Sequence, residues 1–418
     1  MPLEKSVLPF FRSLSVKAKP PVEVRWPEEP LDLPVHRRGG FYNAFLGALL
    51  NSRYRIVRKL GWGQHASVWL AQDVKKSKYF AIKILTAHAT QMQSSVAEEL
   101  GILRRITEQA RKTNHPGHNH VLTLRESFEL SSAHGRHLCL VHDALGVFPA
   151  LFKYGRQLPI PLVKHVSRQL LEALDFLHCK CHVIHTDIKP DNILVVRNNI
   201  DEFIKADELS AARAAPNQSG ALPNSPANAI LSSPLNVFTS TEIAGLNHLS
   251  NFDVRLTDYS TAALVDGYHA NEIQPFALRA PEVILGSGWG ASADIWNLGC
   301  LVFEFLTGRW LFNPRSGQTW TAEQYHLAHM PGVVGEDFDL SYFHHARRFL
   351  DYFKEDGGRL RIRAGGVVSL EGALKTYGVI SDGDADGANL VAFLRSMLRL
   401  NPSDRATAGE LLRHKWLS

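Results

Sequence analysis

HVIHTDIKPDNILVV, residues 182–196, decides how the rest of the chain is read. His185, Asp187, Lys189 and Asn192 fall within eight positions, and apolar runs flank them on both sides. A hydrophobic core does not gather polar groups at that density, because each would need a buried partner. The same four residue types suit phosphoryl transfer, which depends on positioning and charge neutralisation more than on covalent chemistry. Asp187 can accept a hydroxyl proton, Lys189 can steady a transferring phosphate, and Asn192 can hold a magnesium ion.

Upstream, from Tyr54, the segments YRIVRKLG, SVWLAQD and YFAIKIL alternate apolar and polar residues like strands of an antiparallel sheet. Between the first two, Gly61 and Gly63 sit in a turn, where missing side chains let backbone N–H groups approach phosphate oxygens. Two glycines in a hairpin are by themselves only a turn. Lys83 adds weight, because a lone lysine in an apolar strand needs an anion or a carboxylate, and Glu99 on the next helix is its natural partner. That helix is predicted over Ser94 to Ile106, with Val96, Leu100, Leu103 and Ile106 on one face. Strands follow near VLTLRESFEL and HLCLVHDAL.

Beyond Gly146 the period becomes helical, as in VKHVSRQLLEALDFLHCK, ADIWNLGCLVFEFLTG and NLVAFLRSMLRL. A stretch rich in Ala, Ser, Asn and Pro interrupts this lobe at about 198–251 and has too little apolar surface to order itself. After it, VRLTDYSTA places Asp258 at a strand end as a second magnesium ligand. The expectation is therefore an α+β chain: an irregular extension over 1–50, a small sheet lobe with one helix over 51–145, and a larger helical lobe over 146–418 carrying the insert.

At 418 residues the chain exceeds the size of one hydrophobic core, and with 45 % hydrophobic and 21 % charged residues it is neither disordered nor a disulfide-stapled scaffold. A net charge of +5, from 46 basic and 41 acidic residues, names no nucleic-acid partner. Cys139, Cys179, Cys181 and Cys300 form no metal or redox motif and suit a reducing compartment. No apolar run reaches the roughly 18 residues that cross a bilayer. The first 20 residues carry scattered bases and few acids, a faint leader-like pattern that reads as an ordinary tail.

In order along the chain, LGWGQHASV, FAIK, HTDIKPDN, TDYS, RAPE, DIWNLGC and NPSDRATA resemble the signature set of the eukaryotic protein kinases. The details LGWG, VWLA, HTDIKPDNIL, the IQ before RAPE, VILGSG, ADIW and TGRWLF resemble the SR-protein-specific kinases, which also carry a spacer at the position of the insert. The resemblance implies a bilobal kinase fold with ATP between the lobes and Mg²⁺ beside it. It assigns Leu60, Gly61, Gly63, Val68, Ala81, Lys83, Glu99, Asp143 and Leu145 to ATP binding, with Asp143 to Leu145 as the hinge and His142 before it as gatekeeper. Asp187 becomes the catalytic base with Lys189 beside it, and Asn192 and Asp258 the magnesium ligands. Asp294 anchors the catalytic loop, and Glu282 pairs with Arg405. The implied partners are protein substrates of the arginine/serine-rich splicing type, with no membrane and no direct nucleic-acid contact. The implied protein is a monomer of the cytoplasm or nucleus.

Departures from the pattern are specific. Thr186 stands where an arginine usually clamps a phosphorylated activation loop, so activity should not need loop phosphorylation. The SR-protein kinases share this threonine. Ala66 replaces a third glycine, Ser260 a glycine that would tolerate positive φ, Pro275 a threonine, and Phe276 an arginine. The expected docking segment, NPRSGQTWTAEQYHLAHM, holds only Glu323 as an acid, which weakens its match to arginine repeats. Ser260, Pro275 and His142 together keep a second reading open, a nucleotide-binding scaffold with little catalysis. His115, His118 and His120 read as an exposed loop, DGDADG at 382–387 as a polar turn, and Arg347, Arg348, Arg359, Arg361 and Arg363 as a solvated face.

Overall fold

The computed structural model describes residues 28–93, 98–148, 155–214, 230–238, 249, 252–355 and 359–418. Strands β1 (Leu49–Leu50), β2 (Tyr54–Gly63), β3 (Ala66–Asp73), β4 (Lys78–Leu85), β5 (Glu126–Ser132) and β6 (Gly135–Asp143) form one antiparallel sheet in the order β1-β2-β3-β4-β6-β5. Alternation sorts its side chains. Tyr54, Ile56, Trp69, Ala71, Ile82, Ile84 and Val141 build a small core on one face, so Lys83, between two of them on β4, is turned to the other. There α2 (Glu99–Lys112) packs with Ile102, Leu103 and Ile106 buried.

The helix begins later and ends later than the apolar spacing suggests. Val96 lies outside the described residues, and the last turn beyond Ile106 leaves the core, where Arg111 and Lys112 suit its carbonyl end. A short helix, α1 (Ala87–Met92), precedes it and was not anticipated; the Thr86 hydroxyl caps it by accepting from Ala89 N–H.

In the second lobe α3 (Ile160–Phe176) packs beside Ser292–Thr307, a helix buried on every side, whose apolar residues surround its axis and whose few polar ones, Asp294, Asn297 and Glu304, are buried with them. Small pairings set the loops between the lobes. Strands β7 (Gly146–Val147), β9 (Ile193–Val195) and β10 (Val254–Leu256) run in the order β10-β9-β7, and β8 (Val183–Ile184) pairs with β11 (Ala263–Leu264). Residues 185–192 are thereby suspended between β8 and β9, and Asp258 follows β10. Glu282 and Arg405, both fully buried, form a two-bonded ion pair of 2.6 and 2.7 Å beneath this assembly. No described helix is long and apolar enough to cross a membrane.

Two expectations are corrected. The insert is not without order: Ile200–Ala214 forms α4, with Ile204 buried, and residues 230–238 return with Leu235 and Val237 buried. Few apolar residues suffice because these pieces dock onto a finished sheet and build no core of their own. Asp201 accepts from Tyr79 N–H at 2.7 Å, and Arg58 reaches Asp207 and Glu208. The rest of the insert lies outside the described residues. Nor do the histidines at 115–120 form an exposed loop. They make a 3₁₀ turn against α3 in which His115 meets Asp175 at 2.9 Å, and His120, buried, meets the Val254 carbonyl at 3.0 Å.

Candidate active site

Asp294, fully buried near the start of the helix Ser292–Thr307, fixes the loop that follows β8. Its carboxylate accepts from His185 N–H and Thr186 N–H, each at 2.8 Å, and from His178 Nε2 at 2.9 Å. Thr186 is held at a φ of 70°, a conformation that β-branched residues avoid and that surrounding bonds must impose. His185 Nε2 donates to the Thr257 carbonyl at 2.9 Å, leaving Nδ1 to accept from Asp187 N–H. Asn297 brackets Ile188, donating to its carbonyl and accepting from its N–H.

On this frame the polar set of residues 187–192 converges. Asp187 Oδ2 accepts from Lys189 Nζ at 2.6 Å and from Asn192 Nδ2 at 2.9 Å. The Asn192 amide nitrogen also donates to the Asp187 carbonyl, so its oxygen is the end turned away from Asp187.

Lys83 closes the other side. Its ammonium donates to Glu99 Oε1 at 2.6 Å and to Asp258 Oδ1 at 2.8 Å, joining β4, α2 and the second residue past β10. Burial alone would lower the Lys83 pKa, but the charges of Asp258 and Glu99 outweigh it and raise it. Burial also works against Asp258, yet the Lys83 charge and hydrogen bond hold its carboxyl well below the usual range. Burial lifts Glu99, with Lys83 opposing. Asp258 sits at a φ of 62°, a second strained residue in the same site. Hard oxygens on Asp258 and Asn192 are the donor chemistry that a magnesium ion takes, so this set fits that ion.

The proposed nucleotide pocket lies between β2 and the turn after β6. Val68 pairs with Gly61 and Lys83, and Ala81 pairs with His142, so Leu60, Val68, Ala81 and Leu145 stand on neighbouring strands and the hinge. Gly61 and Gly63 lie not in the turn but on the end of β2, opposite Val68 and Ala66, and a Cβ on either would meet nothing within 4 Å, so the protein leaves the space beside this end of the strand open. His142 is buried and its Nδ1 meets the Thr123 carbonyl at 2.9 Å; burial brings its pKa down to about 4, which favours a neutral imidazole. Asp143 is fixed by Arg125 at 2.7 and 2.8 Å and by Arg255 at 3.1 Å. Burial acts to raise the Asp143 pKa, and the arginines bring it below the ordinary value. Neither arginine was found by sequence reasoning, nor was Leu194 on β9 opposite Val147, since no local motif marks them.

Between its charged ends, Asp258 on Lys83 and Glu282 on Arg405, the segment 258–282 is held through neutral side chains and backbone carbonyls. Thr186 Oγ1 donates to the Thr261 carbonyl at 2.8 Å. Gln274, buried at a φ of 69°, donates to the Ala293 carbonyl at 2.7 Å and accepts from Ala280 N–H at 2.8 Å. Arg279 returns to the carbonyls of Ile273 and Gln274. The IQ pair was the only sequence signal for this clamp. Ser260 is not among the non-glycine residues at positive φ, so the strain expected from losing a glycine there does not arise. Pro275 opens the short turn Phe276–Leu278.

On the expected docking side, Ala322–Val334 is a helix with a Thr321–Gln324 capping box. Arg315 lies 5.3 Å over the Tyr325 ring, which stacks on His329. A cavity of about 190 Å³ opens between Phe312, Pro314, Tyr325, His326, His329 and Val333, and no carboxylate lines it. One acid near the catalytic loop was missed in the sequence. Burial pushes the Glu304 carboxyl up to about 7, a Trp310 hydrogen bond opposes this, and the charge of Asp191 adds to the rise.

The protein kinase domain family matches residues 54–225 and 234–417. A serine/threonine-protein kinase SRPK from Physarum polycephalum is 32 % identical over 402 residues, covering 92 % of this chain and 90 % of the relative. Protein kinase dsk1 of Schizosaccharomyces pombe is 28 % identical, covering 91 % and 83 %. SRSF protein kinase 3 of Homo sapiens is 25 % identical, covering 94 % and 91 %. Among solved structures, the crystal structure of the PF14_0431 kinase domain superposes with a TM-score of 0.65 over 90 % of this chain and 99 % of that one, at 22 % identity, a likeness of fold. Nothing in these likenesses favours the scaffold reading.

Proposed function

The chain belongs to the protein kinase family and is a serine/threonine kinase resembling the SR-protein kinases; from that premise we propose which residues carry the transfer and which proteins receive the phosphate. The observation that carries the proposal is Lys83 bonded at once to Glu99 and Asp258, facing a catalytic loop in which Asp187, Lys189 and Asn192 are already joined. In this assignment Lys83 orients the phosphates of ATP and Glu99 holds Lys83 in place. Leu60, Val68, Ala81 and Leu145 enclose the base, and the backbone of Asp143 to Leu145 bonds it.

Asn192 and Asp258 would hold Mg²⁺, whose chemistry is to neutralise charge on the phosphate oxygens. Asp187 orients the acceptor hydroxyl and takes its proton, while Lys189 steadies the group in transit. Pre-formed bonds among these residues lower the reorganisation needed for transfer.

For the acceptor we propose a serine in a basic, arginine-containing protein. Asp191 supplies an exposed carboxylate on the catalytic loop, whereas the segment 313–330 offers only Glu323. Long arginine repeats are therefore engaged near the acceptor more than at the remote segment. The four cysteines, all free, suit a protein of a reducing compartment such as the cytoplasm or nucleus. Labelled phosphate transfer from magnesium ATP to an arginine–serine peptide, run beside a general basic protein, tests the acceptor class. Transfer to the peptide, lost on Asp187→Asn, is expected; transfer only to the basic protein would remove the arginine–serine assignment and keep the enzyme.

A further inference from the structure

Three segments far apart in sequence meet at one buried lysine. Lys59 lies on β2 directly before Leu60 and Gly61 and is 2 % exposed. Its ammonium donates to Glu28 Oε2 at 2.8 Å, to the Glu29 carboxylate, and to the Ile230 carbonyl of the insert at 3.2 Å. Glu28 and Glu29 are themselves buried. The insert holds Glu28 in turn: Ser232 N–H donates to its Oε1 and the Ser232 hydroxyl to its Oε2, each at 2.7 Å. Ser233 N–H donates to the Lys59 carbonyl at 2.8 Å. Two carboxylates on one ammonium, out of water, cost more than an apolar cover of the same strand would. Covering the sheet therefore does not account for them.

The place on β2 is informative. Lys59 opposes Trp69 and Gly61 opposes Val68, so Leu60 is the extra residue of a bulge. The bulge lets Lys59 point towards Trp69, 5.8 Å from its ring, while Leu60 packs against the main core. The segment 230–238 that closes over Lys59 also reaches β7, directly after the hinge, where Val147 N–H donates to the Leu235 carbonyl at 2.9 Å. A Cβ on Gly146 would lie 2.0 Å from Val237, so only glycine admits this approach. One short segment thus touches the strand residue before the roof of the nucleotide pocket and the strand that follows its hinge.

We propose that Lys59, Glu28 and Glu29, closed by Ser232, are positioning residues that fix the β2 bulge against the hinge and thereby set the affinity for ATP. The proposal rests on the assignment of Leu60 and Gly61 to the nucleotide. In the full-length chain, Glu28→Gln with Glu29→Gln keeps the shape and removes the charge. Its KM and Kd for magnesium ATP should rise about tenfold, as expected for losing charged hydrogen bonds, while kcat at saturating ATP and the KM for the protein acceptor stay within about twofold. Ser232→Ala, milder in its effect on folding, should shift the same two constants in the same direction by about threefold. A lower thermal midpoint with unchanged nucleotide constants in both variants would overturn the proposal and leave a structural anchor. Leu60→Ala reports on the underlying assignment. If it weakens ATP binding and the glutamine variant does not, the latch alone fails; if neither does, the pocket assignment fails as well.

Discussion

The catalytic loop and the activation segment adjoin each other and are held in opposite ways. Residues 187–192 and the neighbouring Lys83 use charge: Lys189 and Asn192 on Asp187, and Lys83 on Glu99 and Asp258. Between its charged ends, Asp258 on Lys83 and Glu282 on Arg405, the segment 258–282 is held through neutral side chains and backbone carbonyls where a related kinase would place a phosphate and an arginine. Thr186 bonds Thr261, and Gln274 bonds Ala293 and Ala280. Charge is concentrated where phosphate oxygens must be neutralised and in the buried Glu282–Arg405 pair beneath, while residues between Asp258 and Glu282 keep their shape through neutral side chains and backbone carbonyls. A neutral clamp is always made, whereas a phosphate clamp can be added or removed.

The sharpest way to break the comparison is to remove charge from the catalytic side. Asp187→Asn should lower kcat about a thousandfold, with the thermal midpoint little changed, as steady-state transfer and calorimetry would show. Lys83→Met should lose a comparable amount and also loosen α2, because Glu99 would be left buried without its partner. Next in size is the ion pair beneath both regions. Arg405→Met strands Glu282, and denaturant unfolding should register a loss of about 3–5 kcal/mol.

Buried neutral histidines give a pH dependence of known sign. His142 has its pKa brought from 6.5 down to about 4 by burial, so below pH 6.5 the unfolded chain takes up a proton that the folded one refuses. Stability should therefore fall as pH drops from 6.5 to 4, by roughly 3 kcal/mol for this residue, and level off below. His142→Leu should flatten that part of the curve. On the neutral side of the comparison, Gln274→Ala leaves the Ala293 carbonyl and Ala280 N–H unpaired and should cost about tenfold in kcat with ATP affinity unchanged. The smallest effect is expected on the acid-poor helix Ala322–Val334, where Tyr325→Asp should lower the KM for an arginine–serine peptide about threefold at low salt and less at high salt.

Which parts were legible in the sequence follows from the range of the forces involved. Strand alternation and helical period are local, so β2, β3 and β4 and the partnership of Lys83 with Glu99 could be read from spacing alone. Local density of polar residues likewise marked residues 185–192. The order in the insert was missed because α4 and residues 230–238 are stabilised by surfaces built elsewhere, through Arg58, Tyr79 and Val147. Arg125 and Arg255 on Asp143, Asn297 on Ile188, and Glu28 on Lys59 pair across long stretches of chain that no single segment reveals. Composition misjudged the histidines of 115–120 for the same reason: their partners, Asp175 and Val254, lie on other elements.

The central claim is that neutral bonds hold the activation segment ready for transfer. The most direct measurement is kcat for phosphate transfer by protein treated with phosphatase and verified by mass as unphosphorylated, compared with the same protein untreated. Equal values within about twofold are predicted, since Thr186 and Gln274 need no phosphate to make their bonds. A rate at least about tenfold lower in the unphosphorylated protein, restored by phosphorylation within residues 258–282, would contradict it.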